Sequence, residues 1–246
     1  MRRTNYQFVH FLPFKFSIIL VKMITIDSLR DFWGADLESF MIPVEMEDKF
    51  PQETKLFLRE YGLPKSKRMF IERENFIRSV SPFPDWKFDA ETIKSPPFFE
   101  FSSSRLAMVK FGGKDFIRIG SAQEDEIIVE VNSGKVFYLI PNVPEPWPFD
   151  FPLIQKSFLN SSLEKLIMFL TAEFLFRRKL IKPGKNYVES VNTKNKLLEK
   201  KALQITKNLV DKLEKEFLAL DSYALITKNS WWSTYLQDAR TYLGVK

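Results

Sequence analysis

The sequence contains no cysteine and a single histidine, His10, among its 246 residues. Without cysteine the chain cannot form a disulfide, an iron–sulfur cluster, a zinc site with thiolate ligands or a cysteine nucleophile. Serine catalysis with a histidine base, and metal sites built from several histidines, would both have to use His10. We therefore expect no metal, no cofactor and no enzyme of these common classes.

Glycine is also scarce, with 8 residues, which excludes collagen-like and glycine-rich disordered chains. Hydrophobic residues make up 45% of the chain and charged residues 28%, as in ordinary globular proteins, and the 25 phenylalanines predict a core dense in rings. The longest unbroken apolar run near the N-terminus, residues 18–21, is far shorter than a membrane span, so we expect no stable membrane insertion.

The net charge of +6 is unevenly distributed, because residues 1–22 carry four basic and no acidic residues. This basic, apolar segment contains Pro13 and lacks the cleavage site of a secretory signal. Met23 then begins a stretch that reads like a protein start. We predict that 1–22 is a dispensable extension or a misassigned start and that 23–246 is a single domain. A segment that touches a membrane, or a strand or helix docked on the core, is the alternative for 1–22.

Residue patterns predict helices at both ends of the chain and strands in the middle. Asp27 is predicted to cap a helix ending at Trp33 and Gly34, and the apolar spacing in 52–61 predicts a second helix, followed by Gly62 and Pro64. Short runs bounded by turn residues predict an antiparallel meander: 69–71, 97–102, 106–111, 116–120, 126–131 and 135–140. Residues 36–48 are predicted to be an extended connection, and the five prolines of 141–152 predict a stiff strap.

The last third is predicted to be helical. Asn160 or Ser161 is a candidate cap for a helix that Pro183 and Gly184 would break. A second helix is predicted over 188–220 and a last one around Trp231 and Trp232. The fold class is therefore α+β, with a central, mostly antiparallel sheet flanked by helices.

Catalytic and nucleic-acid motifs are weak. Gly112, Gly113 and Lys114 lack the spacing of a phosphate-binding loop and are better explained by a hairpin turn. The predicted helix over 192–216 has seven lysines but no interleaved aromatic residues, which favours a solvated face over direct nucleic-acid binding. A hydrolase that uses two carboxylates stays open as an alternative, although no pair stands out.

Two acidic clusters lie in predicted loops. The first contains Asp36, Glu38, Glu45, Glu47 and Asp48, and the second contains Glu124, Asp125 and Glu126. Both could be ordinary solvated loops. Alternatively, either could be a recognition surface for a basic partner steered by charge.

Several short motifs occur in a characteristic order: FWG at 32–34, LREYGLP at 58–64, FIRIG at 116–120, VEVNSGKV at 129–136 and NSSL at 160–163. This order resembles the SUKH superfamily (Smi1/Knr4-like), and most closely its SUKH-4 branch of immunity proteins. The similarity covers about residues 27–243. The motif residues expected to be structural are Trp33, Gly34, Gly62, Pro64, Gly120, Gly134, Asn160 and Ser161.

The resemblance implies a SUKH fold and a cytoplasmic bacterial protein that binds and neutralises a cognate protein toxin domain. It implies no catalytic residues. Glu45, Glu47, Asp48, Glu124, Asp125 and Glu126 are the candidate partner-binding residues. An intracellular scaffold or regulatory interaction module of the same fold is the alternative. The basic net charge departs from the acidic inhibitors typical of basic nucleases, so a nuclease target is not specifically expected.

Overall fold

A six-stranded antiparallel sheet lies at the centre of the computed structural model, which describes residues 24–65, 99–122, 125–139, 156–227 and 230–242. Its strands are β3 (Phe99–Phe101), β4 (Ala107–Phe111), β5 (Lys114–Ala122), β6 (Asp125–Glu130), β7 (Val136–Leu139) and β8 (Lys156–Asn160). A separate two-stranded pair is formed by β1 (Leu37–Glu38) and β2 (Leu63–Pro64).

The nine-residue strand β5 organises the sheet. One edge of β5 pairs with β4 over its first half and with β3 over its last three residues. Its other edge pairs with β6, and β7 and β8 follow in order. Gly120 of β5 pairs with Phe101 of β3, and a Cβ on Gly120 would collide with the carbonyl oxygen of Glu100. The close approach of the two strands therefore requires glycine.

The described helices are α1 (Ile26–Trp33), α2 (Val44–Glu47), α3 (Gln52–Glu60), α4 (Leu163–Asn192), α5 (Lys196–Asp221), α6 (Tyr223–Ile226) and α7 (Trp231–Tyr242).

The prediction of Asp27 as the cap of α1 is wrong. Thr25 caps the helix instead, because its hydroxyl accepts a hydrogen bond from the Ser28 amide while the Ser28 hydroxyl accepts one from the Thr25 amide.

The long helix α4 corrects a second prediction, because it runs through Pro183 and Gly184 without a break. Both residues are buried, and α4 packs along α5 over much of its length. This packing holds the helix where the local sequence favours an end. The actual break lies at 193–195, so the single helix predicted over 188–220 is two helices.

Most of the core lies between one face of the sheet and the helices. Ile117, Ile119, Ile127 and Val129 contribute the sheet side, and α1, α3, α4, α5 and α7 contribute the other. The rings of Phe169 and Phe217 stack at 4.1 Å, and Trp232 packs against both. A smaller cluster of Phe116, Ile128 and Leu139 lies on the opposite face. The predicted α+β class with a mostly antiparallel sheet is confirmed.

Two connections differ from the prediction. The segment 36–48 is not wholly extended, since it contains β1 and the single turn α2. Strand β8 was not predicted, because its sequence KSFLN has little alternation. The predictions for 1–22, for the strand at 69–71 and for the proline-rich strap at 141–152 lie outside the described residues.

Candidate partner-binding surfaces

The first acidic cluster is centred on α2. Glu45 and Asp48 are exposed, whereas the carboxylate of Glu47 forms an ion pair of 2.7 Å with the guanidinium of Arg59 in α3. Exposed pairs of this kind contribute little to stability, so this contact mainly places α2 beside α3. Asp36 and Glu38 lie before α2, in the turn and strand that lead to it.

Exposed apolar side chains accompany these carboxylates. Met41 is 78% exposed, Val44 is 83% exposed and Leu56 is 45% exposed. Leu56 lies one turn before Arg59 in α3, so it is on the face that Glu47 approaches. We call Met41, Val44, Glu45, Asp48 and Leu56 together the α2 surface. An apolar centre with a polar rim is a common composition of protein interfaces.

The second acidic cluster is less available to a binding partner than the first. Glu124 lies outside the described residues. Asp125 accepts a hydrogen bond from the hydroxyl of Tyr138, and burial together with this carboxylate raises the pKa of Tyr138 above its ordinary range. Glu126 forms an ion pair of 2.8 Å with Arg118 and has only 15% of its side chain exposed. Both described carboxylates therefore already have partners within the chain.

The two clusters lie at opposite ends of β6. The turn after β6 contacts the start of α3, since a Cβ on Gly134 would lie 3.5 Å from both Pro51 Cγ and Thr54 Oγ1. Asp125 begins β6 at the other end, and five residue steps of a strand span about 17 Å. The structure therefore does not join the two clusters into one patch.

Trp33 and Gly34, both motif residues, lie at the end of α1. Trp33 is 2% exposed, and its indole nitrogen donates a hydrogen bond of 2.9 Å to Thr171 Oγ1 in α4. Gly34 follows with a φ of +52°.

Gly62 and Pro64 position the two-stranded pair. Gly62 has a φ of +75°, and a Cβ there would collide with the carbonyl oxygen of Glu38. Pro64 is buried in β2 and pairs with Leu37.

Asn160 and Ser161 contact Asp221, which no pattern in the sequence indicates. The buried carboxylate of Asp221, at the end of α5, accepts hydrogen bonds from the Ser161 amide at 2.7 Å and from Asn160 Nδ2 at 3.3 Å. Asn160 Oδ1 in turn accepts one of 3.0 Å from the indole of Trp232. The cap of α4 is Ser162, whose hydroxyl accepts from the Lys165 amide, rather than Asn160 or Ser161. No pattern in the sequence links positions 60 residues apart.

A second buried polar group was also not predicted. Glu173 in α4 contacts Arg177 one turn later and accepts a hydrogen bond of 2.7 Å from the hydroxyl of Tyr235 in α7. Burial raises the pKa of Glu173, although Arg177 opposes the shift. The group ties α7 to α4 inside the core.

Metal clusters and membrane-spanning helices would each indicate a particular class of function. Nowhere among them do three or more histidine, cysteine or acidic side chains come together in a way that could hold a metal ion. None of the helices they form is both long and apolar enough to cross a membrane.

Comparison with known proteins gives one match. The family model described as SUKH-4 immunity protein matches residues 24–238, which is most of the chain. No curated protein and no solved structure matches it. The matched range begins just before α1 and ends within α7, so it covers the described fold except the last four residues of α7. The chain therefore belongs to the SUKH-4 immunity protein family.

Proposed function

We propose that this chain is a non-enzymatic immunity protein that binds and neutralises a bacterial toxin domain in the cytoplasm. The observation that carries the proposal is its membership of the SUKH-4 immunity protein family over residues 24–238. Inhibition by binding needs affinity without chemistry. The required feature is an exposed surface that complements the partner in shape and charge.

We propose the α2 surface as the site of toxin contact. Val44 and Met41 offer exposed apolar anchors, and Glu45 and Asp48 beside them form no ion pair within the described part of the chain. Apolar anchors at the centre of an interface supply most of the binding energy, whereas charges at the rim act on the association rate. Asp125 and Glu126 are weaker candidates, because a basic partner would have to displace Tyr138 and Arg118.

The test uses the protein encoded by the gene adjacent to that of this chain, which the proposal expects to be the toxin. The double variant Glu45→Lys/Asp48→Lys should slow association about tenfold at low salt and flatten its salt dependence, because it replaces attraction by repulsion. Val44→Ala should raise the dissociation rate instead. Stopped-flow fluorescence across a salt series measures both effects.

The matched control is Asp31→Lys/Glu189→Lys, which changes the net charge equally at two other exposed positions. If this control slows association as much as the α2 variants do, contact at the α2 surface is refuted. A chain that binds no neighbouring toxin but captures a different protein would favour the scaffold or regulatory role over immunity.

A further inference from the structure

The far end of the α4–α5 pair has one buried side and one exposed side. Beyond Leu180, α4 still buries Pro183, Gly184 and Ser190, and Tyr187 packs against the core cluster. Lys182, Lys185 and residues 191–197 are exposed. The eleven residues 182–192 lengthen α4 by about 16 Å. We call residues 182–201, which comprise this part of α4, the turn and the start of α5, the helical arm.

The helical arm is strongly basic, with six lysines, no arginine and two glutamates. Its net charge of +4 is two thirds of the charge of the whole chain. Lys196 pairs with Glu199 at 2.8 Å. The other five lysines form no ion pair with any residue that the structure describes: Lys182, Lys185, Lys194, Lys200 and Lys201.

Apolar side chains lie at the tip of the helical arm. Val191, in the last turn of α4, is 39% exposed, and Leu197, in the first turn of α5, is 79% exposed. Lys194 and Lys196 lie in and beside the turn between them. The tip therefore presents exposed apolar side chains beside lysines that are close in the chain.

The turn itself carries a strained lysine. Lys194 has a φ of +53°, and it is the single non-glycine residue with positive φ among those described. The next amide, of Asn195, donates to the carbonyl of Ser190 at 2.8 Å, as in helix ends where glycine is the usual residue. A lysine in this conformation is less stable than glycine would be. Such strain is typical of positions with a functional role.

We propose that the tip of the helical arm docks reversibly on the surface of an anionic lipid bilayer. Lysine ammonium groups attract anionic headgroups without a fixed geometry, and apolar side chains between them enter the headgroup layer while the lysines extend back to water. Protein interfaces are instead enriched in arginine and depleted in lysine, and single-stranded nucleic acids require exposed aromatic stacking platforms. Tyr187, the aromatic residue of the helical arm, is half-buried.

The test is co-sedimentation of the full chain with vesicles of phosphatidylcholine alone or with one third phosphatidylglycerol. The wild type should bind the anionic vesicles and not the neutral ones. Each lysine near the surface contributes about fivefold in affinity, so Lys194→Glu/Lys200→Glu should weaken binding at least about tenfold. Leu197→Ala should weaken it several-fold, and truncation of so exposed a side chain leaves the fold intact.

The matched control is Lys49→Glu/Lys110→Glu, which makes the same charge change at exposed positions outside the helical arm. It should weaken binding less than threefold. Residues 1–22 are unchanged in every variant, so any attraction from that basic segment is common to all of them. Equal losses in the two double variants, or no binding of the wild type to anionic vesicles, would refute the proposal.

Lys194→Gly separates docking from stability. It should raise the midpoint of urea unfolding, because glycine relieves the strained turn, while it weakens vesicle binding about fivefold. Vesicle binding unaffected by this variant would contradict a role for the tip. Tighter binding of the wild type to a 20-base-pair DNA duplex than to anionic vesicles at equal salt, lost in Lys194→Glu/Lys200→Glu, would overturn the proposal in favour of nucleic acid.

Discussion

Trp33 combines apolar packing with a buried hydrogen bond. Its ring packs edge-on against Phe32 and Phe174, with ring centroids 4.9 and 5.6 Å apart. Its indole nitrogen donates a hydrogen bond to Thr171 Oγ1. The Thr171 hydroxyl donates onward to the carbonyl of Ile167 at 2.7 Å. One side chain therefore joins the end of α1 to the middle of α4.

Trp33→Ala should lower the free energy of unfolding by about 3–5 kcal/mol, since it removes a large buried ring. Trp33→Phe should cost less, because most of the packing stays and Thr171 keeps its bond to Ile167. Urea unfolding of these variants, with Thr171→Val and the double variant Trp33→Phe/Thr171→Val, should give a coupling of about 1 kcal/mol. A Trp33→Ala protein of normal stability that no longer binds its partner would place Trp33 in a recognition surface instead.

Helix α4 shows packing overriding local propensity. Pro183 has no amide hydrogen to donate to the carbonyl of Lys179, four residues earlier, and its ring crowds that carbonyl. The helix nevertheless continues for nine more residues, because α5 lies alongside.

Pro183→Ala should therefore raise the free energy of unfolding by about 1 kcal/mol, since it restores the missing hydrogen bond within a continuous helix. Part of the gain is offset by the smaller side chain at a buried position. Pro43→Ala, before the short helix α2, serves as the comparison and should change stability by less than about 0.5 kcal/mol. A loss of stability in Pro183→Ala would mean that the proline ring packs against α5 better than the alanine helix does.

The elements differ in how far the sequence predicts them. The antiparallel meander from β4 to β7 follows from alternation and glycine turns, and α3 follows from its apolar face between Pro51 and Gly62. These signals are local. The continuation of α4 through Pro183, the strand β8 and the contact of Asp221 with Ser161 depend on residues distant in the chain, so no local pattern reveals them. The acidic residues were identifiable, but their pairing with Arg59, Tyr138 and Arg118 was not.

Charge is segregated across the molecule. Residues 24–65 contain nine acidic and five basic residues, whereas the helical arm has a net charge of +4. The two surfaces proposed for binding therefore have opposite sign, and raising the salt concentration should weaken both interactions.

Stability should also depend on pH through Glu130. Burial alone would raise the pKa of this carboxyl, but hydrogen bonds from Lys114, at 2.5 Å, and from Ser133 outweigh burial and hold the pKa below its ordinary value of 4.5. The unfolded chain then takes up the proton first, so this contribution is present at neutral pH and is lost as the pH falls below about 5.

Urea unfolding at pH 7 and at pH 3.5 tests this expectation. Glu130→Gln should be less stable than the wild type at pH 7, and the difference should shrink at pH 3.5. Asp31→Asn, which alters an exposed carboxyl, is the control for the general effect of acid. An unchanged difference between Glu130→Gln and the wild type at the two pH values would contradict a lowered pKa.

The contact of Asp221 with Asn160 and Ser161 fastens the α4–α5 pair at the end where α4 begins and α5 finishes. Exchange of backbone amides with deuterated water should therefore form a gradient along the pair. Amides near Leu166 and Phe217, within the core, should exchange only when the whole protein unfolds. Amides of 186–200 should exchange through local fraying, which costs much less free energy, so protection should decline steadily from the fastened end to the tip.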